Sequence, residues 1–110
     1  MSGPRADETA GRGLAAALAA AGHEPPVLVV AESATVGSLA LAWCESFDEA
    51  DWLYRVRVFG GRATANEIAA LAAEARSLGA RTIASIGGGE SARAAEAVAK
   101  DERIPCFRVA

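Results

Sequence analysis

The sequence predicts a three-layer α/β domain built on a parallel sheet, and three observations carry that expectation. Two short runs, VLVVA at 27–31 and TIASI at 82–86, read as strands apolar on both faces, which only a sheet covered by helices on each side can accommodate. Segments with helical apolar spacing alternate with the strand-like runs, so successive strands are joined by crossovers rather than hairpins. Turn and cap signals punctuate the alternation: GH at 22–23, GG at 60–61, TANE at 64–67 and GGG at 87–89.

After a start expected to be disordered over residues 1–7, a first helix runs from about Glu8 to Ala21, with Leu14 and Leu18 four apart on one face and Gly22 as its stop. HEPP then breaks the chain ahead of the strand at 27–31. A second helix, from about Val36 to Glu49, carries Leu39, Trp43 and Phe47 at helical spacing, and these are read as core residues rather than as a ligand platform. LYRVRVF, 53–59, alternates: Leu53, Arg55 and Arg57 on one face, Tyr54, Val56 and Val58 on the other. A strand that sends two arginines to one face belongs at a sheet edge. Thr64 then caps a third helix while Glu67 reaches back to it, and Ile68, Leu71, Ala72 and Ala75 form its buried stripe before Gly79 ends it. Behind the glycine triplet, Ala92, Ala95, Val98 and Ala99 give a fourth helix its buried face. PCFRVA closes the chain as a strand with Pro105 at its first position, where a missing N–H costs least. With the alternating strand at the edge and the two apolar strands central, the strand order is 2-1-3-4, a Rossmann-like arrangement.

Composition narrows the function. The chain of 110 residues is expected to form one domain, and 52% hydrophobic with 23% charged residues is a globular composition. A net charge of -3 gives no reason to expect nucleic acid as a partner. Cys44 and Cys106 lack the spacing of a zinc site or a disulfide framework and read as thiols of a reducing compartment. No run approaches the roughly 18 apolar residues of a membrane span, nor does MSGPRADETAGRG carry a signal-peptide core, so a cytoplasmic chain without a membrane partner is expected. His23, the lone histidine, sits in a loop ahead of a strand and is not expected to ligate a metal.

In open parallel sheets ligands sit beyond the carboxyl ends of the strands, where the strand order reverses. For the order 2-1-3-4 that point lies between strands one and three, which brings AES (31–33) and GGGES (87–91) to one crevice. Gly87, Gly88 and Gly89 permit close approach to the backbone, and the helix behind them offers unpaired N–H groups and about half a positive charge. A pyrophosphate suits that end. Glu32 is placed to accept hydrogen bonds from the hydroxyls of an adenosine ribose and would repel the 2′-phosphate of NADP. The alternative is a plain strand-to-helix turn, since neither GxGxxG after the first strand nor GxxxxGK[ST] is present.

VLVVAES, VFGGRATANEIAALAAEARSLGARTIASIGGGESARAAEAVA and IPCFRVA together resemble the amino-terminal, NAD-binding half of glycerol dehydrogenase and its iron-containing alcohol dehydrogenase and dehydroquinate synthase relatives, over about residues 10 to 110. The resemblance implies NAD as cofactor, Gly87, Gly88, Gly89 and Ser91 as phosphate-binding residues, and Glu32 as the ribose acid. The implied parent activity is NAD-dependent oxidation of a polyol to a ketone. Its divalent metal belongs to a carboxy-terminal helical domain that this sequence does not contain.

The charges after the glycines depart from the family pattern GGG(S/K)xxDxAK, reading Glu90, Arg93 and Glu96 instead. Glu90 in the first turn satisfies the helix dipole itself, by about 0.3–1 kcal/mol, and opposes an incoming phosphate. Arg93 either pairs with that phosphate or joins Glu90, Glu96 and Lys100 in a solvated ion-pair face. Hydride transfer has no mechanism here without a metal or a general base. The expectation is a dinucleotide-binding domain, truncated or diverged and not catalytic alone. Self-association, or a chain carrying the missing half, would cover the open last strand. The rival reading is a non-catalytic nucleotide-sensing or protein-interaction module on the same fold. A phosphorelay receiver would need an acid pair where Glu32 and Ser33 stand and an aspartate at Gly87.

Overall fold

The computed structural model describes residues 13–59, 61–87 and 89–109, with side chains for all of these except 34–42. Its elements run α1 (Leu14–Ala20), β1 (Val27–Glu32), α2 (Ser33–Ala50), β2 (Tyr54–Phe59), α3 (Ala65–Leu78), β3 (Thr82–Ile86), α4 (Gly89–Glu102) and β4 (Cys106–Val109). The four strands form one sheet in the order β2-β1-β3-β4, every pairing parallel. This is the predicted order, with the two apolar strands in the centre.

Strand alternation sorts the core into two halves. Val27, Val29 and Ala31 of β1, with Ala84 and Ile86 of β3, pack with Leu14 and Leu18 of α1 and Trp43 and Phe47 of α2. Leu28 and Val30 face the other way and pack with Ile83, with Leu71, Ala72 and Ala75 of α3, and with Ala94, Ala95, Val98 and Ala99 of α4. The sheet is thus the middle of three layers, which is why β1 and β3 can be apolar throughout. Alanines dominate α4's inner face, so its backbone lies close to the sheet without large side chains between them. Ser46 ties the outer helices together, its Oγ accepting from the Ala15 N–H at 2.8 Å.

The edge assignment of β2 has a direct physical basis. Arg55 and Arg57 project toward α3 and both donate to the Glu74 carboxylate, Arg55 at 3.2 Å and Arg57 at shorter range. Arg108 on β4 does the same against α4, meeting Glu96 at 3.0 Å. Each edge strand therefore carries arginine, two residues on β2 and one on β4, on the face where a central strand carries aliphatics.

Some boundaries differ from the sequence expectation, and residues 1–12, including the start expected to be disordered, lie outside the described residues. α1 begins at Leu14 with Gly13 as its N-cap at φ 91° and ψ 122°, so the helix expected from about Glu8 to Ala21 does not run through Gly13. α2 begins at Ser33, three residues before Val36, because Glu32 is both the last strand residue and the helix N-cap; no separate loop intervenes. β4 begins at Cys106, and Pro105 contributes only its carbonyl, which accepts from the Ile83 N–H at 2.9 Å. The capping box of α3 is half formed: Thr64 Oγ1 accepts from the Glu67 N–H at 3.2 Å, whereas the Thr64 N–H donates to the Arg62 carbonyl at 2.9 Å.

Candidate functional site

The strand order puts the topological switch point between β1 and β3, which are hydrogen-bonded neighbours in register from Val27 opposite Thr82 to Ala31 opposite Ile86. Beyond β1 the chain turns at once into α2, and beyond β3 it passes through the glycines into α4. Two helix amino termini therefore meet at the carboxyl edge of the sheet, one on each side of it. Glu32 shares the strand parity of Leu28 and Val30, the face covered by α3 and α4.

Glu32 ends β1 half-buried, paired in register with Phe59 of β2. Its backbone caps α2, while its side chain makes no cap hydrogen bond. Gly87 has φ 98° and its N–H donates to the Val109 carbonyl at 3.1 Å. That amide extends the β3–β4 ladder, so Gly87 shapes the turn rather than supplying a donor to the crevice. Gly88 lies outside the described residues. Gly89 opens α4 with φ 64°, and a Cβ placed there would meet nothing within 4 Å, so the backbone is open to approach at this point. Ser91 is buried, 2% exposed, in the first turn of the same helix.

Glu90 is more than a neighbour of the glycines. Its Oε2 accepts the Ala63 N–H at 2.8 Å, tying the first turn of α4 to the segment that leads from β2 into α3. Its Oε1 lies 3.8 Å from the Arg93 guanidinium, and the Arg93 side chain is 73% exposed. Glu96 turns to Arg108 on β4. The expected solvated ion-pair face is therefore split into two functions: Glu90 bridges two loops at the crevice, and Glu96 holds an edge strand. A carboxylate in the first turn of a helix is favoured by the helix dipole and opposes a second negative charge brought to the same end. The sequence flagged Glu90 by its charge, but its partner 27 residues earlier carries no sequence signal, because any non-proline residue at 63 would offer the same N–H.

Other candidates resolve plainly. Trp43 and Phe47 are wholly buried, as the core reading required. His23 is half-buried against Phe107, edge to face with ring centroids 5.4 Å apart. Among the described residues no group of three or more His, Cys, Asp and Glu side chains is arranged to hold a metal ion, and no helix is long and apolar enough to cross a membrane. Cys106 sits partly buried beside Glu96; burial first, and that carboxylate second, push its thiol up to about 11, against a smaller opposing pull from Arg108.

The fold is a parallel α/β domain whose strand order reverses between its two central strands. Comparison with solved structures agrees on the fold. The chain is similar to a protein described as a probable glycerol dehydrogenase from Sinorhizobium meliloti 1021, with TM-score 0.75 and 24% identity over 91% of this chain and 25% of that one. It is also similar to a LacI family transcriptional regulator from Arthrobacter sp. FB24 in complex with lactose, with TM-score 0.62 and 17% identity over 90% of this chain and 36% of that one. The chain thus spans about a quarter of the dehydrogenase and about a third of the regulator. No family model matches the sequence, and no curated protein matches it.

Proposed function

We propose that this chain is a dinucleotide-binding domain whose ligand is NAD, held in the crevice between β1 and β3. The observation that carries the reading is the juxtaposition of a half-buried carboxylate at the end of β1 with a glycine-led helix amino terminus, its backbone uncovered at Gly89, at the end of the neighbouring β3. Glu32 would accept the adenosine ribose hydroxyls and Gly88, Gly89 and Ser91 would face the pyrophosphate, with Gly87 setting the turn. Arg93, exposed and within ion-pair range of Glu90, is free to move to a phosphate once that carboxylate is displaced. The fold shared with a probable glycerol dehydrogenase is in keeping with this reading, and glycerol oxidation would belong to an assembly larger than this chain. We assign it no catalytic residue.

Glu90 favours a second reading. Because its carboxylate adds negative charge to the first turn of α4, the crevice would suit an uncharged nucleoside better than a pyrophosphate, as in a nucleoside-sensing variant of the non-catalytic module that keeps the fold without the redox chemistry. Calorimetric titration with NAD, NADP, ADP-ribose and adenosine separates the two. The dinucleotide reading expects NAD and ADP-ribose to bind tightest, NADP at least about tenfold weaker by repulsion from Glu32, and Glu32→Ala to weaken NAD. Adenosine binding that equals ADP-ribose favours the second reading, and no heat from any of the four at millimolar ligand rejects both.

A further inference from the structure

At the amino-terminal end of the strands, the last turn of α2 and the segment leading into β2 border an open hollow of about 360 Å³ lined by Phe47, Asp48, Asp51, Trp52, Leu53 and Tyr54. That volume is at the lower end of the range for small-molecule sites, about 300–1,000 Å³. The hollow is built on aromatic rings. Phe47 is fully buried and stacks on Tyr54, centroids 4.7 Å apart and planes at 16°, while the half-buried Trp52 lies 6.4 Å from Phe47 at 33°.

Three sources of negative potential converge there. Asp48 and Asp51 bring exposed carboxylates. The carboxyl end of α2, an 18-residue helix with no basic residue in its last turn, leaves its dipole uncompensated. Trp52 and Tyr54 add the electron-rich faces of their rings. No lysine, arginine or histidine lines the hollow. The Tyr54 hydroxyl is pushed up to about 12, chiefly by its hydrogen bond with the Cys44 side chain, then by burial and the charges of Cys44 and Asp48, so the ring stays neutral.

We propose that this hollow binds a small organic cation with an alkylammonium group, seated against Trp52 and Tyr54 and neutralised by Asp48 and Asp51. The lining selects that class. An anion would be repelled by both carboxylates, a neutral apolar molecule would leave them without a counter-charge, and a bare metal ion finds no cluster of three ligating side chains among the described residues. The site is independent of the dinucleotide crevice, which lies at the other end of the strands.

The test is a titration of the full chain with choline and with its neutral isostere, in which a tert-butyl group replaces trimethylammonium, read by calorimetry and tryptophan emission. Trp43 is wholly buried, so Trp52 dominates any change. Choline is expected to bind at millimolar concentration and its isostere at least about tenfold more weakly, with D48N/D51N weakening choline about threefold to thirtyfold. Amide and indole NMR on the unaltered chain keeps the test open should the double variant misfold: choline must shift Trp52, Leu53 and Asp51. Equal binding of the isostere, no choline binding, an unaffected folded D48N/D51N variant, or shifts centred elsewhere would each overturn the proposal.

Discussion

At Glu90 a single side chain sets the charge of the glycine-led turn into α4. The glycine-led turn and the helix behind it offer a positive end, yet Glu90 places a negative charge in that first turn and accepts the Ala63 N–H from the segment before α3. Replacing it separates charge from bridging. Glu90→Gln keeps an acceptor for Ala63 and removes the charge, so ADP-ribose should bind about twofold to fivefold more tightly with little change in stability, as the dipole scale allows. Glu90→Ala should gain similar affinity but lose roughly 0.5–1.5 kcal/mol of stability as the bridge is lost. Arg93→Ala measured beside them shows whether the exposed guanidinium contributes: affinity unchanged in Arg93→Ala but raised in Glu90→Gln makes the arginine a surface residue. A second residue-scale expectation concerns pH. Folding raises the Cys106 thiol from its ordinary value of 9.0 to about 11, so above pH 9.0 the unfolded chain loses a proton that the folded chain keeps. Tyr54, raised from 10.0 to about 12, adds the same sign at higher pH. Their stabilisation is complete below pH 9 and disappears as pH rises through about 11 and then about 12, which denaturant melts across alkaline pH, with Cys106→Ala as comparison, would register.

At the level of elements, the clamp between β2 and α3 is the clearest case of sequence and packing agreeing. The alternation in YRVRVF placed two arginines on one face, and the structure gives them one shared acceptor, Glu74. The arginine side chains are 42% exposed, so solvent screens the interaction; Glu74→Gln should cost about 0.5–1 kcal/mol, and less at high salt, by chemical denaturation. An equal loss at low and high salt would show that packing rather than charge holds the edge. In β3, Ser85 Oγ is buried without a hydrogen-bond partner, and an unpaired buried hydroxyl is unfavourable by about 1–3 kcal/mol. Ser85→Ala should therefore leave thermal stability unchanged or raise it; a clear loss would mean the hydroxyl is satisfied by water or ligand.

For the molecule as a whole, the sheet order followed from just two features, the apolar runs at 27–31 and 82–86 and the arginine-bearing strand, because only central strands can be apolar on both faces. The switch point between β1 and β3 followed from that order. The contacts around it did not. That Gly87 gives its N–H to Val109, and that Glu90 reaches Ala63, depend on distances between segments far apart in sequence, to which local patterning is blind. The hollow beside Trp52 escaped for a related reason: DEADWLY at 48–54 reads as a helix end and a turn until packing sets the Phe47, Trp52 and Tyr54 rings around one space. The proposal that rests most heavily on the whole fold is that a dinucleotide lies across β1 and β3. NMR titration of the chain with ADP-ribose locates it directly: saturable shifts are predicted at Glu32, Gly89, Glu90, Ser91 and Ala63, whereas no saturable shifts, or shifts centred on another part of the chain, would contradict it.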